Sequence, residues 1–259
     1  MLLTTSPGDA SPNRTEAPAR ARPPADAAPE LAALWRKLRA PPYYHIVPAG
    51  AAWLGELGME GAMRALAAMP GGAGAPPAKL SFTRVRIDPA AAARANGATH
   101  YSRTHLPLAL HTDGSNMIEP HQLIAFHMIR SDRDGGDSTT LPLPRLLKEL
   151  PAGLAEALRE PVPFGRDALP ILWGPGPSIR YYRAQIDAAC AGSLPPGRRQ
   201  ALDELDRALA RPGLADRFRL HDGDVLFVNN RRALHGRTGF APASARLMLR
   251  YRIHAPALD

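Results

Sequence analysis

Residues 108–114 read Leu-Ala-Leu-His-Thr-Asp-Gly, an apolar run that ends in an imidazole and a carboxylate. The run is typical of a β-strand, and in an extended backbone the side chains at i and i+2 point to the same side. His111 and Asp113 are therefore able to bind one metal ion from a single rigid edge. A His-x-Asp pair alone is more typical of a turn or a surface, so the metal hypothesis depends on the rest of the chain.

A third ligand is available in residues 225–237, which read VLFVNNRRALHGR. His235 lies near the end of this segment. Two histidines and one carboxylate on one face of an ion form the facial triad of non-haem Fe(II) oxygenases, which leaves coordination positions open. The candidate metal ligands, and the candidate catalytic residues, are therefore His111, Asp113 and His235.

The composition indicates one folded domain without a disulfide framework. The chain has 259 residues, with 28 prolines, 22 glycines and one cysteine. The prolines and glycines favour many turns and short strands over a helical bundle. A single cysteine excludes an internal disulfide and a cysteine-rich zinc site. No run reaches the roughly 18 apolar residues of a membrane span, and no signal-like apolar segment is present, so we expect a cytoplasmic protein.

The basic charge raises the question of a nucleic-acid partner. The formal net charge is +8, and arginine supplies most of it. Such a balance is compatible with nucleic acids or with anionic small molecules. However, no basic block is interleaved with aromatic residues in the way that nucleic-acid stacking platforms require. We therefore do not expect nucleic acid or a membrane as a partner, and the oligomeric state is left open.

The pattern along the chain predicts a disordered tail and then a single domain, residues 30–259. Residues 1–29 have almost no large apolar side chains, so they do not bury enough surface to offset the entropy of ordering. Helical spacing follows in residues 30–39 and 48–69. A Gly/Pro linker, residues 70–77, ends this helical part.

Strands dominate the rest of the chain. The predicted strands are residues 80–87, 104–110, 122–129, 137–141, 179–182, 218–220, 225–228 and 246–253. Helical patterns at 144–159 and 198–210 lie in a region, about 145–220, that we interpret as a helical insertion. This arrangement favours a mainly β fold, a double-stranded β-helix or jelly roll with N-terminal and inserted helices.

The last predicted strand carries two arginines on one face. Arg246 and Arg250 point to the same side because they are four residues apart in a strand, and Met248 and Arg252 share that side. Arginines on such a face are costly unless they meet anions or water. A guanidinium matches a carboxylate in two-point geometry, which suits a dicarboxylate ligand. An exposed face paired with nearby acids is the alternative interpretation.

A glycine turn precedes another strand, in the segment GGDSTT of residues 135–140. The glycines suit the turn, and the hydroxyl groups begin the strand. A hydroxyl of Ser138 or Thr139 is able to donate a hydrogen bond to a carboxylate. Each residue alone is explained as simply by a tight turn and an ordinary strand.

Taken in order, these motifs resemble those of the Fe(II)/2-oxoglutarate-dependent oxygenases of the taurine dioxygenase superfamily. The motifs are His111-x-Asp113, residues 135–139, the segment NNRRALHGRTGF of residues 229–240, and Arg246-x-x-x-Arg250. The segment around His235 is most similar to the branch with clavaminate synthase, the amino-acid β-hydroxylases and γ-butyrobetaine hydroxylase. Two positions depart from that pattern, since Asn229 stands where Asp is usual and Asp113 stands where the clavaminate synthase branch often has Glu.

The resemblance implies an iron site and a co-substrate site. The implied Fe(II) ligands are His111, Asp113 and His235. Arg246 would hold the distal carboxylate of 2-oxoglutarate, with a hydroxyl from Ser138 or Thr139 as a second contact. O2 would be the oxidant.

The resemblance also implies the reaction, in which 2-oxoglutarate and O2 give succinate and CO2 while an unactivated C–H bond is hydroxylated. The substrate would be a small biosynthetic molecule, anionic or amino-acid-like, with Arg250 and Asn116 as candidate contacts. Asp113 favours hydroxylation because related halogenases lose this carboxylate; desaturation, epoxidation and ring closure stay open. The alternative is a cupin-like jelly roll without redox chemistry, an isomerase or a small-molecule binding protein, which would not need Arg246.

Overall fold

The computed structural model describes residues 28–69, 80–88, 101–190 and 192–258. The predicted tail therefore lies outside the described residues except for its last two positions, and the predicted linker, residues 70–77, lies outside them entirely. The helices are α1 Ala28–Arg39, α2 Ala52–Ala68, α3 Leu143–Glu149, α4 Leu154–Ala157, α5 Arg183–Cys190 and α6 Pro196–Leu209.

Thirteen strands are present in the described part of the chain. They are β1 Tyr44–Val47, β2 Leu80–Val85, β3 Leu108–His111, β4 Leu123–Arg130, β5 Ser138–Pro142, β6 Val162–Phe164, β7 Asp167–Leu169, β8 Leu172–Trp173, β9 Ser178–Ile179, β10 Asp216–Phe218, β11 Val225–Asn229, β12 Ala233–Arg237 and β13 Leu247–Ile253.

Two antiparallel sheets form the centre of the fold. One sheet has the strand order β1-β11-β4-β13-β2, and the other has the order β10-β5-β12-β3. Neighbouring strands are often far apart in sequence, as in a double-stranded β-helix. The prediction of a mainly β jelly roll with added helices is confirmed.

Strand β11, in the interior of the five-stranded sheet, is buried on both faces, and its alternate residues face different cores. In β11, Leu226 and Val228 face the other sheet, while Val225 and Phe227 face the N-terminal helices. All four side chains are almost completely buried. Side chains two residues apart share a face, so one short apolar strand supplies two separate cores.

Helix α1 covers the outer face of this sheet. Its apolar residues Leu31, Leu34, Trp35 and Leu38 recur at helical spacing and are at most 3% exposed. The adjacent α2 was predicted as one or two helices, and it is kinked at Gly58, which has a φ of 64°. Among the described helices, none combines the length and apolarity needed to cross a membrane. The cytoplasmic location stays a prediction.

The insertion between β5 and β10 is more mixed than the sequence predicts. Helices α3, α4, α5 and α6 lie there as expected, but β6 pairs with β7 and β8 pairs with β9 in two short hairpins. The strand predicted at residues 179–182 is limited to Ser178–Ile179, because the chain then turns to hydrogen-bond with the loop that follows β3. The Tyr181 amide donates there to the Thr112 hydroxyl.

Leu34 provides a test of how α1 is anchored. It is 3% exposed and packs in the core under the five-stranded sheet, so Leu34→Ala removes buried methyl groups and leaves a cavity. We expect a loss of about 2–5 kcal/mol in the free energy of unfolding. Exposed Arg36 on the same helix is the control, and Arg36→Ala should change it by less than about 0.5 kcal/mol. Urea unfolding measures the free energy of unfolding of both variants. Equal losses in Leu34→Ala and Arg36→Ala would contradict this packing.

Candidate metal centre and adjoining cavities

The two histidines are brought together by the four-stranded sheet. Strand β12 pairs with β3, and His235 lies directly opposite His111 in the register. Asp113 follows two residues after the end of β3. The Nε2 atoms of both histidines lie 3.6 Å from Asp113 Oδ1, and one ligand atom from each residue lies within 4.8 Å of the others. The structure therefore brings together the three residues that the sequence indicated as ligands.

Burial and hydrogen bonding leave these imidazoles ready for a metal. His111 Nδ1 lies 2.9 Å from the carbonyl oxygen of Ala109, so Nδ1–H donates there and Nε2 keeps its lone pair. Among the described residues, neither ring nitrogen of His235 has a hydrogen-bond partner. Burial, and next the neighbouring His111, lowers the pKa of His235 to about 4, which keeps the ring neutral. A buried neutral imidazole with an unpaired nitrogen fits a metal ion, as does the His-Asp-His donor set.

Two arginines hold the Asp113 carboxylate. Arg252 Nε donates to Oδ2 at 2.7 Å, and Arg250 Nη1 lies 3.0 Å from each oxygen. Burial alone would raise the pKa of Asp113, but Arg250, the two histidines and Arg252 lower it well below its usual range. The carboxylate is therefore ionised, and Oδ1 is the oxygen that faces both imidazoles.

Asn230 fixes the backbone of the loop that follows β3 and carries Asp113. Its Oδ1 accepts from the Asp113 amide at 2.9 Å, and its Nδ2 donates to the carbonyl oxygens of Asp113 and His121, each at 2.9 Å. The side chain is fully buried. The sequence motifs marked the Asn-Asn pair only as a departure from the pattern of the family, and Asn230 had no predicted role. Its position five residues before His235 was the signal that could have indicated one.

Gly236, next to His235, is required by close packing of the strands. A Cβ atom at this position would lie 2.6 Å from the Leu108 carbonyl oxygen and 2.9 Å from Thr139 Oγ1. Real Cβ atoms do not approach so closely, so a larger residue would push β12 away from β3. The glycine thereby keeps His235 at its distance from His111.

A first cavity lies between the two sheets beside the histidines. It encloses about 460 Å³ of empty space, including its open mouth. Its lining comes from both sheets and includes Val85, Phe126, Ser138, His111, His235, Arg237, Arg246 and Met248. Ser138 belongs to this lining and Thr139 does not, because alternate residues of β5 face opposite sides of the sheet.

Arg246 is a buried cation without a counterion in the described chain. It is 3% exposed, its Nε has no hydrogen-bond partner, and its nearest polar contact is the Met248 sulfur at 3.8 Å from Nη2. Burial lowers its pKa to about 10, against the attraction of Asp132. A guanidinium in this condition is costly unless a ligand supplies the anion. Gly136 packs against it, since a Cβ there would lie 3.0 Å from Arg246 Nε.

Arg237 lines the same cavity, but its guanidinium has hydrogen-bond acceptors in the protein. Its guanidinium donates to the carbonyl oxygens of Leu106, Thr104 and Thr238. Burial, with a smaller contribution from Arg246, lowers its pKa to about 9. Arg237 therefore anchors the segment before β3, and it adds positive charge to the cavity without presenting an empty donor set as Arg246 does.

A second cavity adjoins the first and shares Ser102, Leu108, His111 and Arg250 with it. It encloses about 550 Å³ of empty space, including its mouth. The residues around it are Ser102, Leu108, His111, Thr112, Asp113, Gly114, Tyr182, Gln185, Arg250 and Arg252. Arg250 also lines the first cavity, so it lies between the two. Both cavities meet the candidate metal ligands.

The lining of the second cavity supports one of the two predicted substrate contacts and not the other. Arg250 lines it, as expected for a substrate-binding residue, but Asn116 is exposed and belongs to the lining of neither cavity. Asn116 therefore gains no support from this geometry. Sequence analysis assigned no role to Arg252 or Gln185. Arg252 was detectable from its position two residues after Arg250, whereas Gln185 lies in the insertion, where no motif marks it.

Asn230 provides a test of how the loop controls metal binding. We expect Asn230→Ala to weaken Fe(II) affinity about 10–100-fold, because residues that orient metal ligands contribute on this scale. Asn116→Ala, on the exposed side of the same loop, is the matched control and should leave the affinity nearly unchanged. Competition against a fluorescent chelator under anaerobic conditions measures both. Equal affinities would show that the loop holds its shape without Asn230.

His121 provides a test of pH dependence. Burial, and next the stacked His254, lowers its pKa to about 4 from an ordinary value near 6.5. Between about pH 6.5 and 4 the unfolded chain binds the proton more readily, so acidification destabilises the fold. We expect His121→Gln to reduce the slope of stability against pH by at most about 1.4 kcal/mol per pH unit. Urea unfolding of metal-free protein at pH 7 and pH 5 measures it; exposed His221→Gln is the control, and an unchanged slope in His121→Gln would contradict the assignment.

Comparison with known proteins supports these findings. The family described as taurine catabolism dioxygenase TauD, TfdA family matches residues 159–252. This range includes His235, Arg246 and Arg250, whereas His111 and Asp113 lie before it. Comparison with curated protein sequences gave no match.

Solved structures of non-haem iron oxygenases have a similar fold. An asparagine oxygenase in complex with Fe(II), 3-hydroxyasparagine and succinate superposes with a TM-score of 0.54 at 20% identity, over 67% of this chain and 56% of that one. The oxygenase OrfP with Fe and α-ketoglutaric acid gives a TM-score of 0.51 at 21% identity, over 67% and 56%. OrfP with Fe, succinate and (3S)-hydroxy-L-Arg gives 0.51 at 19%, over 67% and 59%.

The chain thus spans less than two thirds of the length of these relatives. The chain therefore has a jelly-roll fold similar to that of these non-haem iron oxygenases, and its residues 159–252 match the family described as taurine catabolism dioxygenase TauD, TfdA family.

Proposed function

We propose that this protein is an Fe(II)/2-oxoglutarate-dependent dioxygenase that hydroxylates an unactivated C–H bond of a small substrate. One observation carries the proposal: a buried His-Asp-His cluster adjoins a cavity that contains an uncompensated arginine. The cluster suits iron, and the arginine suits the distal carboxylate of the co-substrate. The overall reaction consumes substrate, 2-oxoglutarate and O2 and yields hydroxylated product, succinate and CO2.

The metal would be held by His111, Asp113 and His235, and bound Fe(II) supplies the activation of O2. The protein's part is to keep three ligands on one face and to leave the opposite face open. The hydrogen bond from His111 to Ala109 orients one ring, and the arginine contacts of Asp113 orient the carboxylate. These contacts support a rigid facial site.

The co-substrate would lie in the first cavity. Arg246 would hold the distal carboxylate in two-point geometry, and the hydroxyl of Ser138 is the supporting donor because it lines this cavity. Thr139 faces away, so we assign the second contact to Ser138. The nearby guanidinium of Arg237 adds a second positive charge, which favours a dicarboxylate over a monocarboxylate.

The substrate would approach from the second cavity, next to Arg250. The relatives named above were solved with amino-acid products, hydroxyasparagine and hydroxyarginine, which supports a small amino-acid-like or anionic substrate here. We propose hydroxylation as the outcome of the reaction, because the carboxylate of Asp113 fills the third ligand position.

A cupin-like protein without redox chemistry is the alternative. Such a protein shares the jelly roll and the metal-binding histidines. It has no use for a buried unpaired guanidinium beside the metal, so Arg246 favours the oxygenase.

Anaerobic titration of metal-free protein with Fe(II) and 2-oxoglutarate tests the proposal. A 2-keto acid bound through two oxygens to Fe(II) gives a weak metal-to-ligand charge-transfer band in the visible range, and we expect this band to appear. It should be absent in His111→Ala and Asp113→Ala proteins that remain folded. Folded protein that binds iron but shows no band would refute the proposal and favour the cupin-like binder.

Arg246 provides the second test of the proposal. We expect Arg246→Ala to weaken 2-oxoglutarate binding about 100-fold, the scale of losing a buried charge-assisted contact, while Fe(II) affinity stays within about threefold. The exposed Arg207 of α6 is the control, and Arg207→Ala should affect neither. The charge-transfer band measures co-substrate binding and chelator competition measures iron. Unchanged 2-oxoglutarate affinity in Arg246→Ala would contradict this assignment.

A further inference from the structure

The second cavity presents hydrogen-bond donors to its contents. Gln185, on α5, is the side chain that decides this character. Ser115 Oγ lies 2.8 Å from Gln185 Oε1 and 3.4 Å from the Thr112 carbonyl oxygen, so its proton goes to the Gln185 amide oxygen. With the oxygen occupied, the Gln185 amide nitrogen has no partner among the described residues, and its two N–H groups are left for a ligand.

Arginines supply the other donors of this cavity. Arg250 and Arg252 both belong to its lining, and both contact the same carboxylate, that of Asp113. Five N–H groups on each guanidinium exceed what one carboxylate accepts. Donors therefore remain available at the base of the cavity, opposite Gln185.

Free acids are absent from the described lining of this cavity. Asp113 is its one carboxylate, and two arginines and the metal site already use it. The next acid on α5, Asp187, is paired with Arg183 at 2.9 Å.

The charge balance points the same way. Arg250, Arg252 and Asp113 together leave one positive charge at the second cavity, and Arg246 and Arg237 add two more in the adjoining first cavity. Fe(II) and the 2-oxoglutarate dianion cancel each other. The complete site would therefore remain positive before the substrate arrives, in a region shielded from water where charges interact strongly.

We infer that the substrate of this site is a carboxylate without a free ammonium group, such as an N-acylated or 2-hydroxy acid, and that the Gln185 amide selects it. This inference rests on the proposed function. An N-acyl carbonyl or a hydroxyl oxygen accepts a hydrogen bond from Gln185 while the carboxylate meets the arginines. A free α-ammonium group would instead meet guanidiniums and amide donors, and the described lining offers no free carboxylate to balance it.

The selection is a matter of the surroundings and not of size. An amino acid and its N-acetyl derivative share the carboxylate, so Arg250 attracts both. They differ at the nitrogen, which is a cationic donor in the first and a neutral amide with an acceptor oxygen in the second. A lining whose charged groups are two guanidiniums and one carboxylate that they already pair discriminates between them, because desolvating an ammonium without a counterion is costly.

Matched ligand pairs test the inference. The probes are L-alanine, L-leucine, L-glutamine and L-phenylalanine, each compared with its N-acetyl and 2-hydroxy-acid counterpart. They are titrated anaerobically into protein saturated with Fe(II) and 2-oxoglutarate, and the shift of the charge-transfer band reports binding. We expect at least one counterpart to bind 10-fold or more tightly than its amino acid. Amino acids that bind equally or better, or a set in which no probe binds, would overturn the inference.

Gln185→Glu tests the assigned residue. The substitution keeps the size and adds the missing carboxylate, so we expect it to weaken binding of the N-acetyl probe about 10-fold and to narrow or reverse its advantage over the amino acid. Gln200→Glu, exposed on α6, is the control and should leave the ratio unchanged. A ratio that is the same in both variants would show that Gln185 does not select the substrate. The band itself reports the proposed function separately: its absence in the wild-type protein would refute the oxygenase, whereas its presence with an inverted ratio would refute only this inference.

Discussion

The Asp113 carboxylate is almost inaccessible to water, and a buried charge of this kind costs several kcal/mol unless other groups compensate for it. Compensation comes from Arg250 and Arg252, which reach it from a strand in the opposite sheet. The same contact thus neutralises a charge, bridges the two sheets and leaves one oxygen directed at the histidines. Much of the neighbouring structure, including the Asn230 hydrogen bonds to the same loop, serves to hold that carboxylate in place.

Buried arginines in this protein fall into two groups, and the distinction separates structure from function. Arg237 is surrounded by carbonyl oxygens, and Arg231 is bonded to Glu119 and the Pro120 carbonyl oxygen. Those residues fasten segments of backbone. Arg246 has a cavity in front of its guanidinium instead of a protein acceptor. Burial and charge are similar in the two groups, so the identity of the hydrogen-bond partners, and not the degree of burial, marks the arginine suited to a ligand.

Sequence patterns predicted the parts of the fold in which one physical rule dominates. Alternation identified β2, apolar runs identified β4 and β11, and helical spacing identified α1 and α6. Strand β12 was not predicted as a strand, although it carries His235. Its residues, Ala-Leu-His-Gly-Arg, lack regular alternation, and it is extended because β5 and β3 pair with it on both sides.

The candidate site also contains some residues that sequence patterns predict and others that only the tertiary structure reveals. The proximity of His111, Asp113 and His235 was predictable because a metal site needs particular residue types in a particular order along the chain. The position of Ser138, and not Thr139, in the cavity lining required the strand direction, and Gln185 required the tertiary structure, since the insertion places it beside a loop distant in sequence. Tertiary contacts of that kind leave no local pattern.

Pairing of β12 with β3 also governs how the protein reaches its folded state. His111 and His235 are separated by roughly 120 residues, and bringing such distant segments together has a high entropic cost before any contact is gained. The ligands are therefore assembled only when both strands are already in the sheet. A metal ion bound there acts as a clip across that long loop, and by mass action it stabilises the folded chain over the unfolded one. The supply of a metal ion that this cluster binds would then influence how long the folded protein persists.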